Sequence, residues 1–370
     1  MVAAASAVVA LGTAAGLLSA AGGGRGSDTA RPEVTGTPRL HPLPAVPSAS
    51  PSPTSASPSA TPAQKPRTKT SPSPTARKRR AAPVSARLYR HPESRVLDWV
   101  RANPGDPRRA VIESRIAGQP AAVWFAEHSP DTVTARVRSV TSGAAARGRV
   151  PVLVPYAIPD RDCGGHSQGG APDLDAYDRW IDRFAAGLGG GEVVVVLEPD
   201  SVAQAACLSA GARADRFASL ARAGRVMKQA NPRARVYFDA GHSGWHPPAR
   251  QAAWLRQAGA ASAASSDGIF SNVSNFHSTA DEIAYDRRVL DALGGSGLGA
   301  VIDTSRNGAG APADGEWCDP AGRKLGRAPT LDTGEAGIDA YLWVKLPGES
   351  DGCRGAPGTF TASYAYDLAR

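Results

Sequence analysis

The stretch Gly191–Ser201 reads GEVVVVLEPDS. Its apolar run is too short for a helix, is β-branched up to Leu197 and stops abruptly at Glu198-Pro199-Asp200. Glu192–Leu197 is therefore read as a strand with a polar cluster at its carboxyl end. The same grammar recurs on both sides of it. Strand-like runs at Ala122–Phe125, Pro151–Val154, Arg235–Phe238, Gly268–Phe270, Ala300–Ile302 and Ala340–Val344 alternate with helical stretches. Leu174, Tyr177, Trp180, Ile181, Phe184 and Leu188 recur at helical spacing behind Pro172-Asp173; a second helix fits Ala212–Gln229 and a third fits Ala280–Leu293 after Thr279. Strands separated by helices need crossover connections, so the sheet is expected to be mainly parallel and buried on both faces. Seven strands in about 280 residues favour an α/β fold of the parallel-barrel kind over an open sheet.

Unusual residues gather just after six of the strands: PYAIPDRDCGGHSQGG follows Val154, EPD follows Leu197, DAGHSGWHPP follows Phe238, SNVSNF follows Phe270, DTSRNG follows Ile302 and KLPGESDG follows Val344. In a parallel barrel those carboxyl ends converge on the face that carries the chemistry. One Asp in such a place is more often a cap than a functional group. Six clusters in succession are hard to explain as caps. Asp162, Asp200, Asp239 and Asp351 stand at four strand ends, with Trp245 and Trp317 in loops and Asn275, His242, Lys345 and Glu349 adding hydrogen-bonding groups. Flat aromatic faces beside amides and charges suit a sugar ring, which is apolar on its faces and hydroxylated at its rim. Carboxylates in two protonation states are what cleavage of a glycosidic bond requires. Trp343, inside an apolar strand, reads as core.

The whole chain has 370 residues and a formal charge of +8, which by itself points to an anionic partner. That charge is unevenly placed. Residues 1–90 hold 12 of the 42 Lys and Arg against two acids, Asp28 and Glu33, so this segment is +10 and the remaining 280 residues are −2. Thirteen of the 31 prolines fall between Pro32 and Pro83, in runs such as PSASPSPTSASPSATPAQKP that offer little to bury. Residues 25–85 are expected to form a disordered, extended linker. Residues 1–24 are uncharged and rich in Ala, Val, Leu and Gly from Val2 on, as a signal peptide or membrane anchor would be, with Ser19-Ala20-Ala21 suited to cleavage. A secreted protein, or one tethered at the extracellular face of the envelope, is expected. The run Arg77-Lys78-Arg79-Arg80 has no interleaved aromatics, so no nucleic-acid partner is expected.

Other chemistries fare worse. Gly165-His166-Ser167-Gln168-Gly169 matches G-x-S-x-G, but a nucleophile elbow needs a strand ending at the Ser and a helix starting after it, and neither is read here. Seven His are scattered without H-E-x-x-H, the Cys form no C-x-x-C, and no G-x-G-x-x-G joins a strand to a helix, so neither metal nor cofactor is expected. Four Cys in an exported protein most simply form two disulfides out of three connectivities, the alternative being four buried thiols. Cys163–Cys207 and Cys318–Cys353 would each tie neighbouring strand-end loops together.

At this point VPYAIPDRDC, VVVVLEPDS, VYFDAGHSGWHPP, NVSNF, VIDTSRNG, EWCDPAGRKLG and DAYLWVKLPGESDG together resemble the glycoside hydrolase family 6 cellulases, especially the actinobacterial endo-β-1,4-glucanases. The resemblance covers the chain from about Leu88 to its end, and residues 86–370 are assigned to the catalytic domain. It implies a distorted parallel (β/α) barrel with fewer than eight strands and inverting hydrolysis of β-1,4-glucan. By position, Asp200 resembles the general acid, Asp162 the acid that tunes it and helps organise the water, and Asp351 the candidate base. Inversion implies acid and base carboxyls about 6.5–9.5 Å apart. Asp239 resembles a substrate-binding or charge-balancing acid, and Tyr156 the residue that crowds the distorted sugar. Trp124, Ser167, His242, Trp245, Asn275, Trp317, Lys345 and Glu349 fall at sugar-binding positions.

Only 11 residues lie between Gly352 and Tyr364, little chain for the loop that roofs the tunnel of processive members, so an open cleft and internal cleavage are expected. A cellulose-binding module is not recognised, which implies weak action on crystalline cellulose. The protein is expected to act as a monomer. The alternatives are a cellobiohydrolase of the same family, a serine esterase using Ser167, and an inactive glucan-binding protein.

Overall fold

In the computed structural model, which describes residues 87–370, Val193–Leu197 is a strand whose five side chains are all buried. The expected leader and linker lie outside the described residues. The elements follow in the order β1 (Arg87–Leu88), α1 (Arg95–Ala102), α2 (Arg109–Ile112), β2 (Val123–Phe125), α3 (Val133–Ala145), β3 (Arg149–Val150), β4 (Val152–Pro155), α4 (Leu174–Ala185), β5 (Val193–Leu197), α5 (Ala210–Ala230), β6 (Ala234–Asp239), α6 (Pro248–Gln257), β7 (Gly268–Ser271), α7 (Thr279–Leu293), β8 (Gly299–Asp303), β9 (Ile338–Leu342) and α8 (Ala362–Ala369).

Seven strands form one parallel sheet in the order β2-β4-β5-β6-β7-β8-β9, and β1 pairs with β3 separately. The sheet curls until its edges nearly meet. Past the end of β9, the Trp343 carbonyl accepts the Ala122 amide at 2.9 Å, and the Val344 carbonyl accepts Trp124 Nε1–H at 2.7 Å. This seam explains why the last strand ends at Leu342 rather than at the expected Val344: its final carbonyls turn across to the first strand.

Side chains alternate between two apolar layers. Val194 and Val196 point into the barrel with Val152, Val154, Tyr237, Phe270 and Val301. Val193, Val195 and Leu197 point outward onto Trp180, Phe184, Leu220 and Tyr285 of the surrounding helices. A strand covered on both sides loses area to water on both, which is why the sequence shows a continuous rather than an alternating run. The three expected helices start on side-chain caps: Asp173 accepts the Ala176 amide, Ser209 that of Ala212 and Ser278 that of Asp281. Helices α1, α2, α3, α6 and α8 were not read from the sequence. No helix of the described residues is long and apolar enough to cross a membrane.

Close strand approach makes one glycine indispensable. Gly268 opens β7 at φ 149°, and a Cβ there would lie 1.7 Å from the Gly299 carbonyl oxygen. Gly268→Ala is expected to cost on the order of 3 kcal/mol or more of unfolding free energy, measured by urea denaturation. A cost under about 1 kcal/mol would contradict this packing.

Candidate active site

The strand-end loops are held by buried carboxylates that accept backbone amides of the next loop. Glu198 takes the Ala157 amide at 2.9 Å and the Ile158 amide at 3.0 Å, clamping the loop after β4 to the loop after β5. Asp239 Oδ2 takes the amides of Val202 (3.0 Å) and Ala203 (2.7 Å), and its Oδ1 takes that of Gly241 at 2.9 Å. Asp303 takes the amides of Ser305 at 2.9 Å and Lys345 at 2.8 Å. Asp319 receives the Asp351, Cys353 and Arg354 amides and the Ser350 hydroxyl. Two disulfides, Cys163–Cys207 and Cys318–Cys353, join the loops in the expected pairs. Among the described residues all eight non-glycine residues with positive φ, including Glu198, Asp200, Asp162 and Asp319, lie in these loops. Such backbone persists only where its surroundings over-determine it.

The loops enclose a cleft of about 1360 Å³. Asp200 lies partly buried on its wall. Burial, reinforced by the neighbouring Asp239 and Asp162, pushes its carboxyl well above the usual range. Asp162 Oδ2 accepts the Ser167 amide at 2.6 Å. Asp351 is 6% exposed and committed at both oxygens: Oδ1 to Lys345 Nζ at 2.9 Å, Oδ2 to Arg306 Nη1 at 2.7 Å and to the Asp319 amide at 3.1 Å. Glu349 also lines the cleft, and burial raises its carboxyl to about 7 against the pull of Lys345 and Arg95.

Aromatic groups supply the apolar surfaces. Tyr156, beside Asp200 and Asp162, meets Trp124 edge-on at 5.3 Å. Trp245 packs on His242 at 5.2 Å, and His242 stacks on His277 at 4.3 Å; burial holds the His242 imidazole down at about 3, so it is neutral. Trp317, 51% exposed, packs on His166 at the opening. Asn275, Lys345 and Ser167 line the cleft as well. Asp239 does not: at 1% exposure it lies behind the wall, where its oxygens hold the loop of Asp200. Of the two roles read for Asp239, substrate binding or charge balance, the first is corrected to a supporting one, because three backbone amides take up the oxygens a sugar would need. Ser167 lies in mid-loop between the turn Asp162–Gly164 and Gly169-Gly170, without the flanking strand and helix of a nucleophile elbow. Trp343 is 3% exposed and packs with α1 and α8, as a core residue would.

Sequence reasoning missed Glu198, Arg306 and Asp319. Arg306 is wholly buried, donates to Asp351, the Tyr364 hydroxyl and the Ser274 carbonyl, and stacks over Phe276. It stands in the quoted DTSRNG, but a charge in a strand-end loop has no visible partner until the fold brings one. His166 approaches the Sγ atoms of Cys318 and Cys353, but disulfide sulfurs are not thiolate ligands, so this grouping holds no metal.

A curled seven-stranded parallel barrel with a raised carboxyl, an ion-paired carboxylate and aromatic rings along one cleft defines a carbohydrate-cleaving enzyme. Comparison with known proteins makes this specific: residues 84–366 match the family described as Glycosyl hydrolases family 6, and the chain belongs to it. It is thus a glycoside hydrolase. It is 54% identical over 286 residues to Endoglucanase 1 of Streptomyces sp. (strain KSM-9), covering 77% of this chain and 78% of that one. It is 50% identical over 283 residues to Endoglucanase A of Thermobispora bispora, covering 76% of this chain but 61% of that protein. The fold matches the endoglucanase Cel6 of Mycobacterium tuberculosis, solved with methyl-cellobiosyl-4-deoxy-4-thio-β-D-cellobioside, at a TM-score of 0.71 and 40% identity, over 77% of this chain and 97% of that one.

The Glu198 clamp has a pH signature. Burial raises its carboxyl from 4.5 to about 7. The folded state therefore binds more protons than the unfolded chain between those values, so the stabilisation is complete below pH 4.5 and fades as pH rises through 7. About 3 kcal/mol is at stake. Glu198→Gln, neutral throughout, is expected to flatten stability against pH across this window, measured by denaturant unfolding at a series of pH values. Equal slopes in the two proteins would reject the assignment.

Proposed function

We propose that the protein hydrolyses internal β-1,4-glucosidic bonds of cellulose or a related β-glucan with inversion at the anomeric carbon. One observation carries this reading: the raised Asp200 carboxyl faces an aromatic-lined cleft in which a second Asp, Asp351, is ion-paired. Asp200 acts as the general acid, donating its proton to the departing glycosidic oxygen. Tyr156 and Trp124 pack beside the cleavage point, and Asp162 adjoins the acid. Asp351 is the base toward the attacking water; it presents a carboxylate held by Arg306, Lys345 and the Asp319 amide. Trp245, Trp317, His242, Asn275, Lys345 and Glu349 bind sugar units along the cleft, and Ser167 borders Asp162.

Internal cleavage is supported by the short chain between Gly352 and Tyr364 and by the endoglucanase names of the relatives. The two disulfides support export, with residues 1–24 as leader or anchor, residues 25–85 as tether and the catalytic domain acting as a monomer on an uncharged polysaccharide.

Asp200→Ala is expected to lower kcat about 1,000-fold or more while leaving glucan binding intact. A loss below about tenfold would reject Asp200 as the acid. NMR of the first products from soluble β-1,4-glucan should show the α-anomer, and an initial β-anomer would overturn inversion. Viscosity of a soluble cellulose derivative should fall faster than reducing ends accumulate; parallel progress would overturn the endo mode. Because Asp200 works protonated, its raised pKa carries activity upward in pH, and the rate falls as pH rises through that value.

A further inference from the structure

The wall of the cleft that carries His242 and Trp245 is the turn between β6 and α6, residues 240–247, which has no helix or strand of its own. Its start is fastened by the Gly241 amide, which donates to Asp239, and its end by His246 Nε2–H, which donates to the Ala203 carbonyl at 2.8 Å. Its middle is fastened from outside the cleft. The Ser243 amide donates to Glu282 Oε1, on α7, at 2.9 Å. The turn is packed closely enough to pass that constraint on: a Cβ on Gly244 would lie 2.6 Å from His277 Cε1, and the His277 ring stacks on His242.

Glu282 does not line the cleft; it is 0% exposed, and its Oε2 has no hydrogen-bond partner among the described residues. One turn further along α7, Asp286 is equally buried, accepts the Ser271 hydroxyl at 3.0 Å and leaves Oδ1 unmatched. Burial raises both carboxyls, and Glu282 raises Asp286 further. Two buried acids a helical turn apart, each with an unmatched oxygen, cost stability. What Glu282 gains at this place is the Ser243 amide. We propose that Glu282 is a positioning residue for substrate binding: it holds the Ser243 amide and so fixes where His242 and Trp245 stand against the glucan. The role rests on the cleft being the glucan site. Nothing in this contact changes as the glycosidic bond breaks, so its loss weakens the ground state and the transition state alike and shows in KM rather than kcat.

Two variants of the full chain separate reach from charge. Glu282→Asp keeps the acid but withdraws its oxygens by one methylene; Glu282→Gln loses the charge but keeps an oxygen in reach of Ser243. On a soluble β-1,4-gluco-oligosaccharide, Glu282→Asp is expected to raise KM about tenfold with kcat within about twofold of the parent. Glu282→Gln is expected to stay within about twofold of the parent in both. Hydrogen exchange of the Ser243 amide, which needs no substrate, should quicken about tenfold or more in Glu282→Asp and hold in Glu282→Gln. A parent-like KM in Glu282→Asp, an equal fall in its kcat, or a Gln variant as impaired as the Asp variant would each overturn the proposal. Should Glu282→Asp not fold, Glu282→Gln still decides: parent KM and parent Ser243 exchange uphold the contact, and a tenfold change in either overturns it. A parent that neither binds nor cleaves the oligosaccharide would overturn the reading of the cleft, with Ser243 exchange still reporting on the contact itself.

Discussion

The catalytic face depends on carboxylates that are not on its surface. Glu198, Asp239, Asp303 and Asp319 are buried and spend their oxygens on backbone amides of adjoining loops. Burying a carboxylate is costly, and two to four hydrogen bonds from amides are what makes it tolerable. In return each one ties two segments that would otherwise be independent surface loops. The chain between β8 and β9 contains no helix to steady it, so Asp319 and the Cys318–Cys353 disulfide do that work.

From this follows the contrast between the two acids proposed for the chemistry. Asp200 is raised by burial and by two carboxyl neighbours, so its proton is held tightly. Asp351 sits between Arg306 and Lys345, on a loop fixed by Asp319. Hydrogen bonds from the Ser350 hydroxyl and the surrounding amides hold the Asp319 carboxyl below its ordinary range despite the burial that would raise it, so the pin stays charged. Of these two buried acids one is crowded by carboxyls and the other is paired with cations, which is the basis of the different tasks proposed for them.

The legible parts of the fold were those with continuous apolar runs or a cap followed by helical periodicity. Val193–Leu197 and the helix behind Asp173 are of this kind. Helix α3, with the sequence VTARVRSVTSGAA, carries β-branched residues, Ser and Gly, and only packing of Val133, Val137 and Val140 makes it helical. Helix α6 starts at Pro248, whose loop residues hide its periodicity. Asp239 shows the limit at the site: an Asp after a strand announces a functional face, yet the same letter serves as reactant or as pin.

By itself the sequence determined the parallel strands, the face on which polar residues gather and the family, because these rest on local composition and order; the pairing of the four Cys, one of three connectivities, was settled by the fold. The tertiary structure alone decided the rest. Whether an acid is raised, ion-paired or saturated with amides is set by groups 30 to 45 positions away in the chain, as Arg306 and Asp351 or Asp239 and Val202 are. Electrostatic energy depends on distance and burial, and neither is written in sequence order.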